Sequence, residues 1–165
     1  FNVCGADPDG DIGQAFPEPF HLINIACEAA SGKREKMAIF GTDYPTEDGT
    51  CIRDYIHVTD LARAHILALK FLINEKKSEV FNCGYGHGYS VREIVGSVKR
   101  VTEVDFKVET SERRDGDPAS LVAISSKLKT MLGWTPTYDN LDIIIQTAYK
   151  WEMSPRLKEW REIKA

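Results

Sequence analysis

One stretch, IFGTDYPTEDGTCIRDYIHVTDLARAH from Ile39 to His65, limits what this chain can fold into more than any other. A loop rich in Asp, Gly and Thr leads to a short apolar strand, Cys51 to Ile56, whose two-residue period sets Arg53 and Tyr55 on one side. The strand runs directly into a helix after Thr59 that carries Leu61, Ala62, Ala64, Ile66, Leu67, Ala68, Leu69, Phe71 and Leu72, with only Thr59, Arg63 and Lys70 as a polar stripe. A helix so apolar needs cover on more than one side. The combination predicts a ligand-facing strand beside a buried helix.

The rest of the chain alternates in the α/β manner, without internal repeat or low-complexity linker. Phe1 to Cys4 reads as the end of a strand. Pro17 and Pro19 then lead into a helix through about Ser31 that stops at Gly32. Met37 to Gly41, Val80 to Cys83 and Phe106 to Glu109 read as strands. Ser90 and Glu93 form a capping box for a helix to about Thr102. Two last helices follow: Ser126 to Leu132, closed by Gly133, and Leu141 to Trp151, started by Asn140.

Composition excludes several classes. At 165 residues the chain is long enough to bury a substantial core. A net charge of −4 gives no electrostatic footprint for nucleic acid, so any arginine that matters acts locally. No apolar run reaches the roughly 18 residues that span a bilayer and no signal peptide is evident, which makes no membrane and a cytoplasmic location the expectation. Cys4, Cys27, Cys51 and Cys83 lack zinc-ligand spacing and read as free thiols serving as small hydrophobes; no metal site is expected. His57 and His65 read as core or rim residues.

Two features carry candidate chemistry. The turn Gly84-Tyr85-Gly86-His87-Gly88 sits between strand and capped helix, with Asp105 and Glu109 about twenty positions on, and so imitates a dinucleotide-binding unit. Its spacing is GxGxG and not GxGxxG, which favours a tight structural turn that needs positive backbone angles. The second feature is Arg113-Arg114-Asp115-Gly116-Asp117 together with Arg53. Guanidinium forks from two segments can grip a diphosphate, and an Asp three residues beyond Arg114 can accept hydrogen bonds from a ribose diol; the alternative is a solvated charge run.

Three segments, FGTDYPTEDGTCIRDYIHV, NCGYGHGYSVRE from Asn82 and ERRDGDPASLVA from Glu112, resemble the UDP-glucose 4-epimerases in order and spacing. Those enzymes interconvert UDP-glucose and UDP-galactose with a bound NAD. The resemblance implies an α/β fold corresponding to the family's C-terminal, substrate-binding portion, over residues 1–165. Residues 1–5 and about 51–75 resemble elements that pack on, and complete, an N-terminal Rossmann domain that this chain lacks. It implies that Arg53, Arg114 and Asp117 bind the phosphates and ribose of a UDP-sugar. Asn2 would meet a sugar or phosphate oxygen, and Phe1 the nicotinamide end of NAD. His21 and Leu22 would face the phosphates, His21 departing from the family's usual Asn. Ala38 and Phe40 would hold uracil through main-chain bonds and an aromatic face, with Tyr55 touching the nucleotide. Leu121 would line the sugar pocket.

The family's chemistry uses a Tyr-x-x-x-Lys pair and hydride transfer to NAD. None of Tyr44, Tyr55, Tyr85, Tyr89, Tyr138 and Tyr149 has Lys four positions later, so no catalytic residue is assigned and this chain alone is expected to be inactive. NAD is expected to be held mainly by the part of the family this chain lacks, and the full-length enzyme to be a homodimer. Two alternatives stay open: a stand-alone, non-catalytic nucleotide-binding module using the GYGHG turn, and a related UDP-pentose or N-acetylhexosamine epimerase or sugar-nucleotide decarboxylase or dehydratase.

Overall fold

A computed structural model describes residues 2–16 and 18–164. In chain order these form β1 (Asn2–Cys4), α1 (Leu22–Ala30), β2 (Lys36–Phe40), β3 (Ile52–Arg53), β4 (Tyr55–His57), α2 (Val58–Glu75), β5 (Tyr89–Ser90), α3 (Val91–Thr102), β6 (Lys107–Ser111), β7 (Ser120–Leu121), α4 (Ser126–Leu132), α5 (Leu141–Glu152) and α6 (Pro155–Lys164). The strands make small sheets: β1 parallel to β4, β2 parallel to β6, and β5-β3-β7 with β5 antiparallel and β7 parallel to β3. Helices α1, α3 and α5 pack together behind them, burying Ile23, Ala26, Ile94, Val98, Ile144 and Ile145.

Locally encoded ends form as expected. Ser90 Oγ accepts the Glu93 amide at 3.1 Å while Glu93 accepts the Ser90 amide at 2.6 Å, the reciprocal cap of α3. Asn140 Oδ1 accepts the Ile143 amide at 3.1 Å to start α5, and Gly133 closes α4 in the left-handed conformation. Helix α1 starts at Leu22, three residues beyond Pro19; Pro17 lies outside the described residues.

Elsewhere tertiary context overrides the pattern. The single strand expected over Cys51–Ile56 is two, divided at Asp54, because β3 and β4 belong to different sheets and the Asp54 carboxylate turns inward between them. The strand expected over Val80–Cys83 does not form: no strand of the described chain lies beside it to supply a hydrogen-bonded ladder, and Val80 is exposed. The helix expected to be buried, α2, starts one residue before Thr59 and buries only Asp60 and Ala64; Ile66, Leu69, Leu72 and Ile73 face solvent. Helix α6 was not expected, its sequence being polar almost all round. It is held by fully buried Leu157 and by Arg161, which reaches Glu28 on α1 at 3.2 Å and Glu152 on α5 at 3.0 Å.

Candidate functional site

The loops and strand ends on one side of α1 enclose a cavity of about 420 Å³. Strand β1 contributes Asn2, β2 contributes Ala38 and Phe40, and the β3–β4 junction contributes Arg53 and Tyr55. His21 and Leu22 come from the start of α1, and Arg114 and Asp117 from the loop between β6 and β7. Nine of the residues singled out from sequence thus share one cavity. Leu121 does not line it: it is 49% exposed on β7, in parallel register with Arg53. Phe1 lies outside the described residues.

Charge in this cavity is concentrated. The Arg53 side chain is only 12% exposed. It donates from Nη2 to Asp117 Oδ1 at 3.1 Å and from Nη1 to the Ile52 carbonyl at 2.7 Å. The Arg114 guanidinium lies 4.0 Å from the centre of the Phe40 ring, a cation–π contact. Arg113 belongs to a separate shallow groove with Asp43 and Glu112, where it pairs with Asp43 at 2.6 Å and covers Tyr44. The cap residue of α1, His21, is extended and makes no side-chain cap bond, and no acid sits in the first turn. The helix N-terminus therefore presents amides and the positive end of its dipole to the same cavity. His21 Nδ1 is itself 2.9 Å from Gln14 Nε2, and the ring packs against Phe20. Among the described residues strand β2 pairs with β6 alone, so no described strand lies along its other edge. Burial raises the Tyr55 phenol well above its ordinary pKa and keeps it protonated; it also raises the Cys51 thiol in the same wall.

Behind the cavity stand two residues that the sequence reading passed over. Asp54, fully buried, accepts the amides of Tyr85 at 3.1 Å, Gly86 at 3.0 Å and Ala123 at 3.3 Å. Asp60, equally buried, accepts the Tyr85 hydroxyl at 2.8 Å and the amides of Thr137 and Tyr138. A signal for Asp54 was present: in Ile52-Arg53-Asp54-Tyr55-Ile56 the two-residue period places the acid between two isoleucines on the inward face. The glycine turn is structural. Its amides at Tyr85 and Gly86 already serve Asp54 and do not fit a dinucleotide diphosphate. Only Gly86 has positive φ, at 92°. Gly84 and Gly88 are required by close approach instead, since a Cβ would lie 2.5 Å from Ala123 Cβ and from Ile52 Cγ2 respectively.

A second cavity of about 610 Å³ shares Asn2, Val3, Cys4 and His21 with the first and is completed by Gly5, Asp7, Phe16, Val58 and Ala62 among others. The described residues hold no cluster of three or more metal-ligating side chains, and no helix is long and apolar enough to cross a membrane.

The chain is 53% identical over 154 residues to the UDP-glucose 4-epimerase of Azospirillum brasilense, a match over 93% of this chain and 44% of that protein. Among solved structures it superposes on a UDP-glucose 4-epimerase with a TM-score of 0.91 and 50% identity, over 94% of this chain and 47% of the other. The Brucella ovis UDP-glucose 4-epimerase, solved with NAD, gives 0.86 and 46%, over 90% and 46%. The chain spans about half the length of the curated relatives it matches, and the match falls on their C-terminal half. Residues 1–84 match the model of the NAD dependent epimerase/dehydratase family; the chain belongs to that family.

Proposed function

We propose that this chain is the UDP-sugar-binding portion of a UDP-glucose 4-epimerase, and that it grips and orients the nucleotide-sugar while the chemistry is done by groups outside it. The observation that carries this reading is the meeting of Arg53, Arg114 and the uncapped start of α1 in one cavity. Guanidinium groups and helix-terminal amides are the partners a diphosphate requires once water is partly excluded. On this reading Arg53 and Arg114 flank the diphosphate and the amides beyond His21 and Leu22 meet its oxygens. Asp117 takes the ribose diol, Ala38 and the Phe40 ring take the base, and Asn2 and Tyr55 close the sugar end. The similarity to proteins named UDP-glucose 4-epimerase supports the choice of UDP-sugar among diphosphates.

NAD, the cofactor of the family, supplies a hydride acceptor and donor when bound. The glycine turn does not fit its diphosphate, because the turn's amides are closed on Asp54. We place the NAD-binding groups and the proton-transferring pair in a further portion of the kind that makes the relatives twice as long. β1, β4 and α2 would pack against that portion, and the full-length enzyme would be a homodimer. Titration calorimetry tests the reading: UDP should bind the purified chain and NAD should not bind tightly. Preference for NAD would instead support the nucleotide-binding module built on the glycine turn.

A further inference from the structure

Asp54, His57 and Asp60 recur at intervals of three residues and are all fully buried. The two carboxylates are satisfied by backbone amides and a tyrosine hydroxyl. His57 is held differently. Its Nδ1 lies 3.1 Å from the Thr59 amide and caps the first turn of α2. Its Nε2 lies 3.1 Å from Thr147 Oγ1 on α5. That hydroxyl donates its own hydrogen to the Ile144 carbonyl at 3.0 Å and accepts the Ala6 amide at 3.2 Å.

The donor count fixes the ring. A backbone N–H can only donate, so Nδ1 is an acceptor; the Thr147 hydrogen is already given to Ile144, so Nε2 carries the other. A single neutral tautomer satisfies every group. An imidazolium would set Nδ1–H against the Thr59 N–H with no acceptor between them. Both faces of the ring are also filled: Tyr138 stacks on it at 4.4 Å, and Gly5 approaches so closely that a Cβ there would lie 2.5 Å from Cδ2.

The groups facing His57 are few. Asp60 on α2 and Asp7 beyond β1 draw its pKa upward, but burial outweighs both and holds it below its ordinary value. Arg63 faces Asp60 at 3.6 Å, Tyr85 accepts the His57 amide through its hydroxyl, and α5 presents only the neutral Thr147.

We infer that His57 is a positioning residue for the binding cavity, acting as the neutral Nε2–H tautomer: it fastens β4 and the turn after β1 to α5, and protonation releases them. These are the strands that carry Tyr55 and Asn2 into the cavity. Because the folded-state pKa is lowered, the stabilisation is complete above the unfolded value near 6.5 and is lost as pH falls toward and below the folded value. Only the ligand arm of the test rests on the diphosphate reading.

The test uses the full chain labelled with 15N-histidine. One of its four rings should appear as a neutral Nε2–H tautomer that titrates below its ordinary value of 6.5, and His57→Gln should delete that signal. Below the titration of this ring, the protection of the Ala6 and Thr59 amides against hydrogen exchange should fall while the interior of α3 stays protected. Affinity for UDP-glucose should drop about tenfold for each further pH unit; Thr147→Ser should keep this slope. Thr147→Val, which keeps the shape and removes the hydroxyl, should weaken UDP-glucose several-fold even at pH 8. A ring protonated on Nδ1, an ordinary titration near 6.5, or unchanged Ala6 and Thr59 protection would overturn the inference. If the tautomer and protection behave as stated but UDP-glucose binds at no pH, the diphosphate reading fails and the positioning role of His57 stands.

Discussion

The guanidinium of Arg114 lies 4.0 Å from the Phe40 ring centre, whereas that of its neighbour Arg113 lies 4.1 Å from the centre of Tyr44 and is paired with Asp43. Two adjacent arginines therefore serve different faces, and only Arg114 lines the main cavity. Replacing Arg114 by Ala should cost about 1.5–3 kcal/mol in UDP affinity, the scale of a hydrogen bond to a charged group. Arg113→Ala should cost less than about 0.5 kcal/mol, because it removes an exposed pair outside the cavity. Calorimetry on both variants checks this, and equal losses would mean that the run acts as diffuse charge.

Asp117 offers a sharper test, since it already occupies one edge of Arg53. Any diphosphate that reaches Arg53 must share the guanidinium with that carboxylate. A ribose diol, by contrast, gains an acceptor from it. Asp117→Asn should therefore strengthen binding of inorganic pyrophosphate by about 1 kcal/mol, the net worth of one hydrogen bond, and leave that of UDP nearly unchanged, because UDP gains at its diphosphate what it loses at its ribose. An equal gain for both ligands would remove Asp117 from the ribose role.

How far these features were legible depends on how local their cause is. The Ser90–Glu93 cap, the Asn140 start and the Gly133 stop are written within four residues each, and all three form. The division of Cys51–Ile56 at Asp54 depends on amides from Tyr85, Gly86 and Ala123, some thirty to seventy residues away, which no local pattern contains. Helix α6 depends likewise on Glu28 and Glu152. The residues of the candidate cavity were singled out mainly through family resemblance: composition left Arg53 and Arg114 as readily a solvated charge run as a clamp, and the cavity that joins them is made by segments far apart in sequence.

The glycine turn separates close approach from conformational freedom. A Cβ on Gly84 would lie 2.5 Å from Ala123 Cβ and 2.7 Å from Asp54 Oδ2. Gly84→Ala should therefore cost about 1–3 kcal/mol through overpacking, and should also disturb Asp54 between Arg53 and Tyr55. Gly96, inside α3, meets nothing within 4 Å. Gly96→Ala should stabilise the fold by about 0.5–1 kcal/mol by lowering the entropy of the unfolded chain. Urea unfolding of the two variants should show opposite shifts in midpoint.

Leu121 tests how far the proposed sugar site extends beyond the cavity wall. It sits half exposed on β7, directly beside Arg53 in the parallel register, so a sugar projecting from a diphosphate held by Arg53 would pass near it. A leucine offers an acetamide no hydrogen bond, and a tyrosine ring would occupy more of the space beside Arg53 that an acetamide needs. We expect Leu121→Tyr to weaken UDP-N-acetylglucosamine more than UDP-glucose, and Leu121→Ser to narrow the difference between them. Because discrimination is a ratio, both ligands must be titrated into each variant and the ratio of affinities compared. A ratio unchanged across Leu, Tyr and Ser, with folding intact, would show that Leu121 lies beyond the reach of the sugar and that selectivity at its second carbon is set elsewhere.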